Sequence, residues 1–217
     1  MTINRSFKAL MFGCAVAALA GCQTAPPPMA VPASFTPLGV TAPYLMGDVI
    51  GGYKARAAKM RAANIRPLSP YEAPSYVADL DSELRRQTAG IGLDVVQVAG
   101  SIIVRIPATF TFDPGSATVK PTTDATLLEI ARTVKTRNRT FVDVLAHTDT
   151  SGTPEANKTL SEKRAAAVAA YLVRHGVPKA RIASRGMGET APLYNPETNE
   201  TQKAANRRIE IRLVPYR

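Results

Sequence analysis

From about residue 75 onward, the apolar positions follow periods of either three to four residues or two. In SYVADLDSELRRQTAG, Val77, Leu80, Leu84 and Thr88 recur at three- and four-residue steps, which predicts a helix closed at Gly90. LDVVQV and IIVRIP are β-branched runs joined by a tight AGS turn, the pattern of a hairpin. TFTFDPGSATVKP reads as the end of the second strand followed by a turn. In TDATLLEIARTVKTR, Leu127, Ile130, Ala131 and Val134 share a helical face, and in TFVDVLAH, Val142, Val144 and Ala146 share a strand face. A long helix is expected across TPEANKTLSEKRAAAVAAYLVRHGVP. Thr153 suits its N-cap, Pro154 its first turn and Glu155 its positive end, and Gly176 and Pro178 stop it. RIASRGMG reads as a short strand and TQKAANR as a short helix or turn. RIEIRLVP alternates strictly, with Ile209, Ile211 and Leu213 on one face and Arg208, Glu210 and Arg212 on the other.

This order predicts an α+β fold, an α/β sandwich: one mixed sheet with helices against one face. Residues 101–217 form the domain, and residues 75–100 supply a helix and the first hairpin strand before it. From Cys22 to about Pro74 no period is sustained, and Pro26, Pro27, Pro28, Pro32, Pro37 and Pro43 crowd the first part. Such a stretch buries too little apolar surface to offset its ordering entropy, so residues 22–74 read as a flexible tether. A helix near residues 53–63 interrupts it.

The first residues, MTINRSFKALMFGCAVAALAGCQ, set Arg5 and Lys8 before an apolar run from Ala9 to Ala20. The run is shorter than the roughly 20 residues that span a bilayer, and it fits a secretory leader over residues 1–21. Its end, Leu19-Ala20-Gly21-Cys22, resembles the bacterial lipobox, which implies acylation of Cys22 and cleavage just before it. Gln23 stands where an Asp would resemble an inner-membrane retention signal, so the resemblance implies the outer membrane, with the domain facing the periplasm. Cys14 would leave with the leader and Cys22 would carry lipid, so the mature chain would have neither a free thiol nor a disulfide.

The formal charge is +10, of which the leader carries two, leaving +8. Export argues against nucleic acid as a partner. In YKARAAKMRAANIR, Lys54, Arg56, Lys59, Arg61 and Arg66 are either the solvated face of an Ala-rich helix or a contact for anionic lipid head groups.

The most informative stretch is LAHTDTSGTPEANKTLSEKR. Asp149 falls in the loop just past a strand end, a common place for binding residues. Asn157, Leu160, Ser161 and Arg164 follow at i, i+3, i+4 and i+7, so Asn157 and Arg164 share a helical face. A carboxylate, an amide and a guanidinium fork suit the ammonium and carboxylate of an amino-acid head group. The spacing is equally met by a surface ion pair or by two solvated charges that never meet.

VLAHTDTSGTPEANKTLSEKRAAAVAAYL, with FDPGSATVKP before it and ASRGMGETAP and NRRIEI after it, closely resembles the OmpA C-terminal-like domain, over about residues 102–214. That domain also occurs in peptidoglycan-associated lipoproteins and flagellar stator proteins. The resemblance implies noncovalent binding of peptidoglycan through the diaminopimelate of the stem peptide. By position, the acidic ligand falls on Asp149 and the arginine on Arg164. Asn157 and Thr148 fall in the same blocks, Phe112 and Asp113 in the loop lining the groove, and Arg208 on the second arginine of NRR. The expected protein is an outer-membrane lipoprotein tethering membrane to wall, or alternatively an envelope scaffold whose docking of another protein comes first.

Catalysis is not expected. His147, Asp149 and Ser151 carry the letters of a hydrolase triad, but members of a triad normally come from separate elements, and no G-x-S-x-G elbow is present. His147 and His175 are the only histidines and no H-E-x-x-H occurs, so neither a metal site nor another cofactor is expected.

Overall fold

The computed structural model describes residues 50–217. The leader, the Cys22 lipobox and the first part of the expected tether lie outside the described residues. Six helices and five strands follow in the order α1 (Tyr53–Ala62), α2 (Glu72–Thr88), β1 (Asp94–Val98), β2 (Ser101–Pro107), α3 (Ala108–Thr111), α4 (Asp124–Thr136), β3 (Thr140–His147), α5 (Pro154–Arg174), β4 (Ile182–Gly188), α6 (Glu200–Asn206) and β5 (Arg208–Pro215). The sheet order is β1-β2-β5-β3-β4, antiparallel throughout except for the β3–β4 pair. The expected mixed sheet is the observed fold, with α2, α4 and α5 against the face of Val142, Val144 and Ala146, while α1 lies against the other face, where Phe141 and Asp143 point.

The core lies where the periods placed it. Val77, Leu80 and Leu84 of α2, Leu127, Ile130 and Val134 of α4, and Val168 and Leu172 of α5 pack on Ile102, Val104, Val142, Val144, Ile209, Ile211 and Leu213 of the sheet. Thr153 caps α5, its hydroxyl accepting from the Ala156 N–H. The crossover from β3 to β4 brings α5 very close to the sheet. A Cβ on Gly186 of β4 would stand 2.2 Å from the Glu162 nitrogen, so no side chain fits there. Ser161, wholly buried, donates to the Lys158 carbonyl and accepts the Gly188 N–H at 2.9 Å, tying helix to strand.

Three expectations change. TFTF does not extend the second strand: β2 ends at Pro107, and Ala108–Thr111 form one helical turn that swings Phe110 and Phe112 toward the core.

Residues 53–74, expected to belong to the tether, instead pack on the domain. In α1, Met60 is fully buried with Phe141 and Tyr216. Tyr53 stacks on Phe141 with ring centroids 4.5 Å apart. Arg56 donates to Asp143 at 2.7 Å and to the Arg181 carbonyl at 3.1 Å, and the Tyr53 hydroxyl donates to Asp143 at 2.8 Å. Burial alone pushes Asp143 up, and Arg56 and Tyr53 oppose it in part. Arg56 is therefore no part of a solvated face; Lys54, Lys59 and Arg61 are exposed. Beyond α1, Arg139 grips Glu72 with both terminal nitrogens at 3.0 Å and the Pro67 carbonyl at 2.8 Å.

The polar face of β5 is also buried. Arg208, Glu210 and Arg212 are each at most 2 % exposed. Charges at such depth need partners. Arg208 Nε donates to Glu210 at 2.8 Å, Arg105 Nε lies 3.5 Å from the same carboxylate, and Asp94 faces Arg105. Burial would raise Glu210, but the arginines, Arg208 foremost, outweigh it and hold the carboxyl at about 2.

Candidate functional site

The loop after β3 is pinned at both ends. The Thr148 N–H donates to the Gly188 carbonyl at 2.9 Å, continuing the β3–β4 ladder by one residue. Asn157, in the first turns of α5, donates its amide to the Asp149 carbonyl at 3.2 Å and to Glu189 at 2.7 Å. Asp149 is thereby fixed at the mouth of the sheet. One carboxylate oxygen accepts the Ser151 N–H at 3.1 Å, and the other is 2.5 Å from Arg207. Arg207 also pairs with Glu200 through its second terminal nitrogen.

Arg164 comes from the same face of α5 as Asn157, two turns on, as the spacing required. Its Nε donates to the Ser116 carbonyl at 2.8 Å and one terminal nitrogen to the Asp113 carbonyl at 3.2 Å, while its guanidinium carbon lies 5.2 Å from the Phe112 ring centre. The cation is only 6 % exposed, yet among the described residues no carboxylate pairs with it. Burial lowers its proton affinity, and the nearby Arg207 charge lowers it further. Two guanidinium groups thus stand near one another, Arg207 paired with Asp149 and Glu200, and Arg164 with no carboxylate among the described residues.

The structure brings together Asp149, Asn157 and Thr148 at the end of β3, and Arg164, Phe112 and the Asp113 backbone beside them. Phe112 is a buried platform under Arg164, and Asp113 contributes its carbonyl, since its carboxylate points to solvent toward Lys120 at 3.8 Å. Arg208 is not brought in. It bonds Glu210 and the Asn206 and Ala191 carbonyls behind the sheet edge. The arginine at the site is its neighbour Arg207, which sits just before β5, so that consecutive side chains diverge to opposite faces. Glu189 and Glu200 carry no signal in the sequence either; Glu189 sits just past the end of β4 and Glu200 opens α6, and what each meets is set by tertiary contacts. A latch closes over the loop: Glu197 accepts from the Thr150 N–H at 2.6 Å and from the Asn206 amide at 2.6 Å. These contacts hold its carboxyl below the usual range despite burial.

His147 turns to the charged sheet face, 3.9 Å from Glu210. Burial first, and Arg208 second, push it down to about 3, so it is neutral at ordinary pH. Among the described residues no group of three or more His, Cys, Asp or Glu could hold a metal, and no helix is long and apolar enough to cross a membrane.

The model of the OmpA family matches residues 111–207, the span from the Arg164 platform to Arg207. The peptidoglycan-associated lipoprotein of Pseudomonas putida is 36 % identical over 129 residues, which is 57 % of this chain and 76 % of that one. The chain belongs to the OmpA family. The probable lipoprotein YiaD of Escherichia coli is 38 % identical over 140 residues, which is 64 % of each chain; the match thus spans somewhat under two thirds of that relative's length. Among solved structures, a MotB-like protein from Desulfovibrio vulgaris superposes with a TM-score of 0.61 at 26 % identity, covering 68 % of this chain and 96 % of that one.

Proposed function

We propose that this OmpA-family chain binds peptidoglycan noncovalently, clasping the free amino-acid head of the stem-peptide diaminopimelate. The observation that carries this reading is the buried Arg164 guanidinium, braced by two carbonyls and an aromatic ring and lacking a carboxylate partner among the described residues. A structural arginine at such depth is normally paired with an acid; one aimed and left short of an anion is suited to a ligand carboxylate. The ammonium goes to Asp149, taking the oxygen that Arg207 occupies here, while Glu200 retains Arg207. The name of the P. putida relative, a peptidoglycan-associated lipoprotein, supports the same reading.

On this proposal the protein is not an enzyme. It is an outer-membrane lipoprotein, anchored through lipid on Cys22 and facing the periplasm, and it joins membrane to wall. Cys22→Ser should leave an unprocessed or misplaced precursor; normal fractionation of that variant, with no loss of acyl mass, would refute the anchor. The wall-binding reading is tested by pulling down the purified mature protein with sacculi in the presence of free diaminopimelate. Competition is expected. Retention that free diaminopimelate leaves untouched would favour a scaffold that docks another envelope protein.

A further inference from the structure

An open groove of about 700 Å³ runs along α5 beside the site and shares Ser151 and Asn157 with its surroundings. Its floor is a second stripe of the helix, rotated from the one that carries Asn157 and Arg164. Ala156, Leu160 and Lys163 fall at i, i+4 and i+7, and Gly115 and Ala117 form the opposite wall. Glu155 stands at the end nearest the helix N-terminus and Lys163 at the other. The groove is therefore open, lined mainly by small and apolar groups with Thr159 among them, and polarised from anion to cation.

Its length selects the occupant. Seven residues of helix at 1.5 Å each separate Ala156 from Lys163, about 10 Å. Extended peptide advances about 3.3 Å per residue, so the stripe accommodates roughly three residues. Small side chains suit a wall made of Gly115 and Ala117. The charges fix direction: a free carboxylate is repelled at Glu155 and attracted at Lys163.

Resting on the proposed wall-binding reading, we infer that this groove is a second subsite for the peptide joined to the clasped head group. Lys163 meets the free carboxylate of the small residue that follows the diamino acid. The domain then distinguishes peptides that end one residue beyond the diamino acid from those that end at it.

Three ligands separate the two readings: free diaminopimelate, a tripeptide ending at the diamino acid, and a tetrapeptide ending in one further alanine. Titrated against the folded mature protein, Lys163→Gln should weaken the tetrapeptide about two- to fivefold, the range of an exposed ion pair, and Lys163→Glu should weaken it more. Both variants should leave free diaminopimelate unchanged. Ala156→Tyr, at an exposed helical position, should obstruct the groove and affect the tetrapeptide selectively. Equal affinity of all variants for the tetrapeptide would overturn the subsite while leaving the clasp intact. An effect confined to ligands that carry the disaccharide would mean the groove takes sugar, and would overturn it too. Failure of the unaltered protein to bind any of the three would remove both readings.

Discussion

Arg207, not Arg164, is the ion-pair partner of Asp149, at 2.5 Å. The pair is partly exposed on the arginine side and buried on the aspartate side, and it leaves Arg164 braced by two backbone carbonyls and the Phe112 ring. Among the described residues the candidate site thus holds one cation with a carboxylate partner, Arg207, and one without, Arg164.

Asp149→Asn should weaken sacculus binding about tenfold to a hundredfold, since a hydrogen bond to a charged group contributes roughly 1.5–3 kcal/mol. Arg164→Gln should do the same and, jointly with Asp149→Asn, less than additively, because on the proposed reading both grip one head group. Pull-down affinity and thermal midpoint are read on the same proteins. Binding retained in the folded double variant would displace the site.

A double-mutant cycle on Asp149→Asn and Arg207→Gln should show stability coupling of about 1 kcal/mol, the upper end for a pair that solvent reaches. No measurable coupling would mean that the pair does not order the loop in solution.

Docking of α1 predicts that a chain beginning at residue 75 melts well below one beginning at residue 50. Arg56→Ala removes the buried ion-pair partner of Asp143, leaving it the Tyr53 hydroxyl, and should cost about 3 kcal/mol. Denaturant unfolding of both checks this, and coincident midpoints would return α1 to the tether.

Gly186→Ala forces a methyl group into the backbone of α5. Overpacking of this kind typically costs about 1–3 kcal/mol. Because Ser161, Asn157 and Arg164 ride on that helix, sacculus binding should fall alongside the midpoint. An unchanged midpoint would show that the helix can retreat freely.

Stability should decline on acidification in two overlapping stages. His147, held at about 3 when folded against 6.5 ordinarily, is protonated in the unfolded chain first, so stability falls as pH drops below about 6.5. Glu210, held at about 2 against 4.5 ordinarily, contributes stability that is present above about 4.5 and lost toward 2. Each group costs up to about 1.4 kcal/mol per pH unit within its window. His147→Gln should flatten the slope between pH 6.5 and 4.5 and leave the lower stage; an unaltered upper slope would assign it to other groups.

The sequence by itself determined most elements of the domain, because the apolar spacings of α2, α4 and β5 report backbone period directly and cap and stop residues bound α5; the helical turn α3 was not among them. It also placed Asn157 and Arg164 on one face, since helical geometry needs no tertiary information. Only the tertiary structure decided the rest. Alternation in RIEIRLVP marks two faces but cannot say that the charged one is covered as well; that depends on Arg105, contributed by the neighbouring strand β2, and Asp94 from β1. Nor does the weak period of YKARAAKMRA reveal that Tyr53, Arg56 and Met60 dock, since their partners, Asp143, Phe141 and Tyr216, lie more than 80 residues away. The choice between Arg207 and Arg208 rests on the same physics. Adjacent residues entering a strand face opposite ways, and which way meets Asp149 is set by the register of β5 on β3, a pairing between segments distant in the chain.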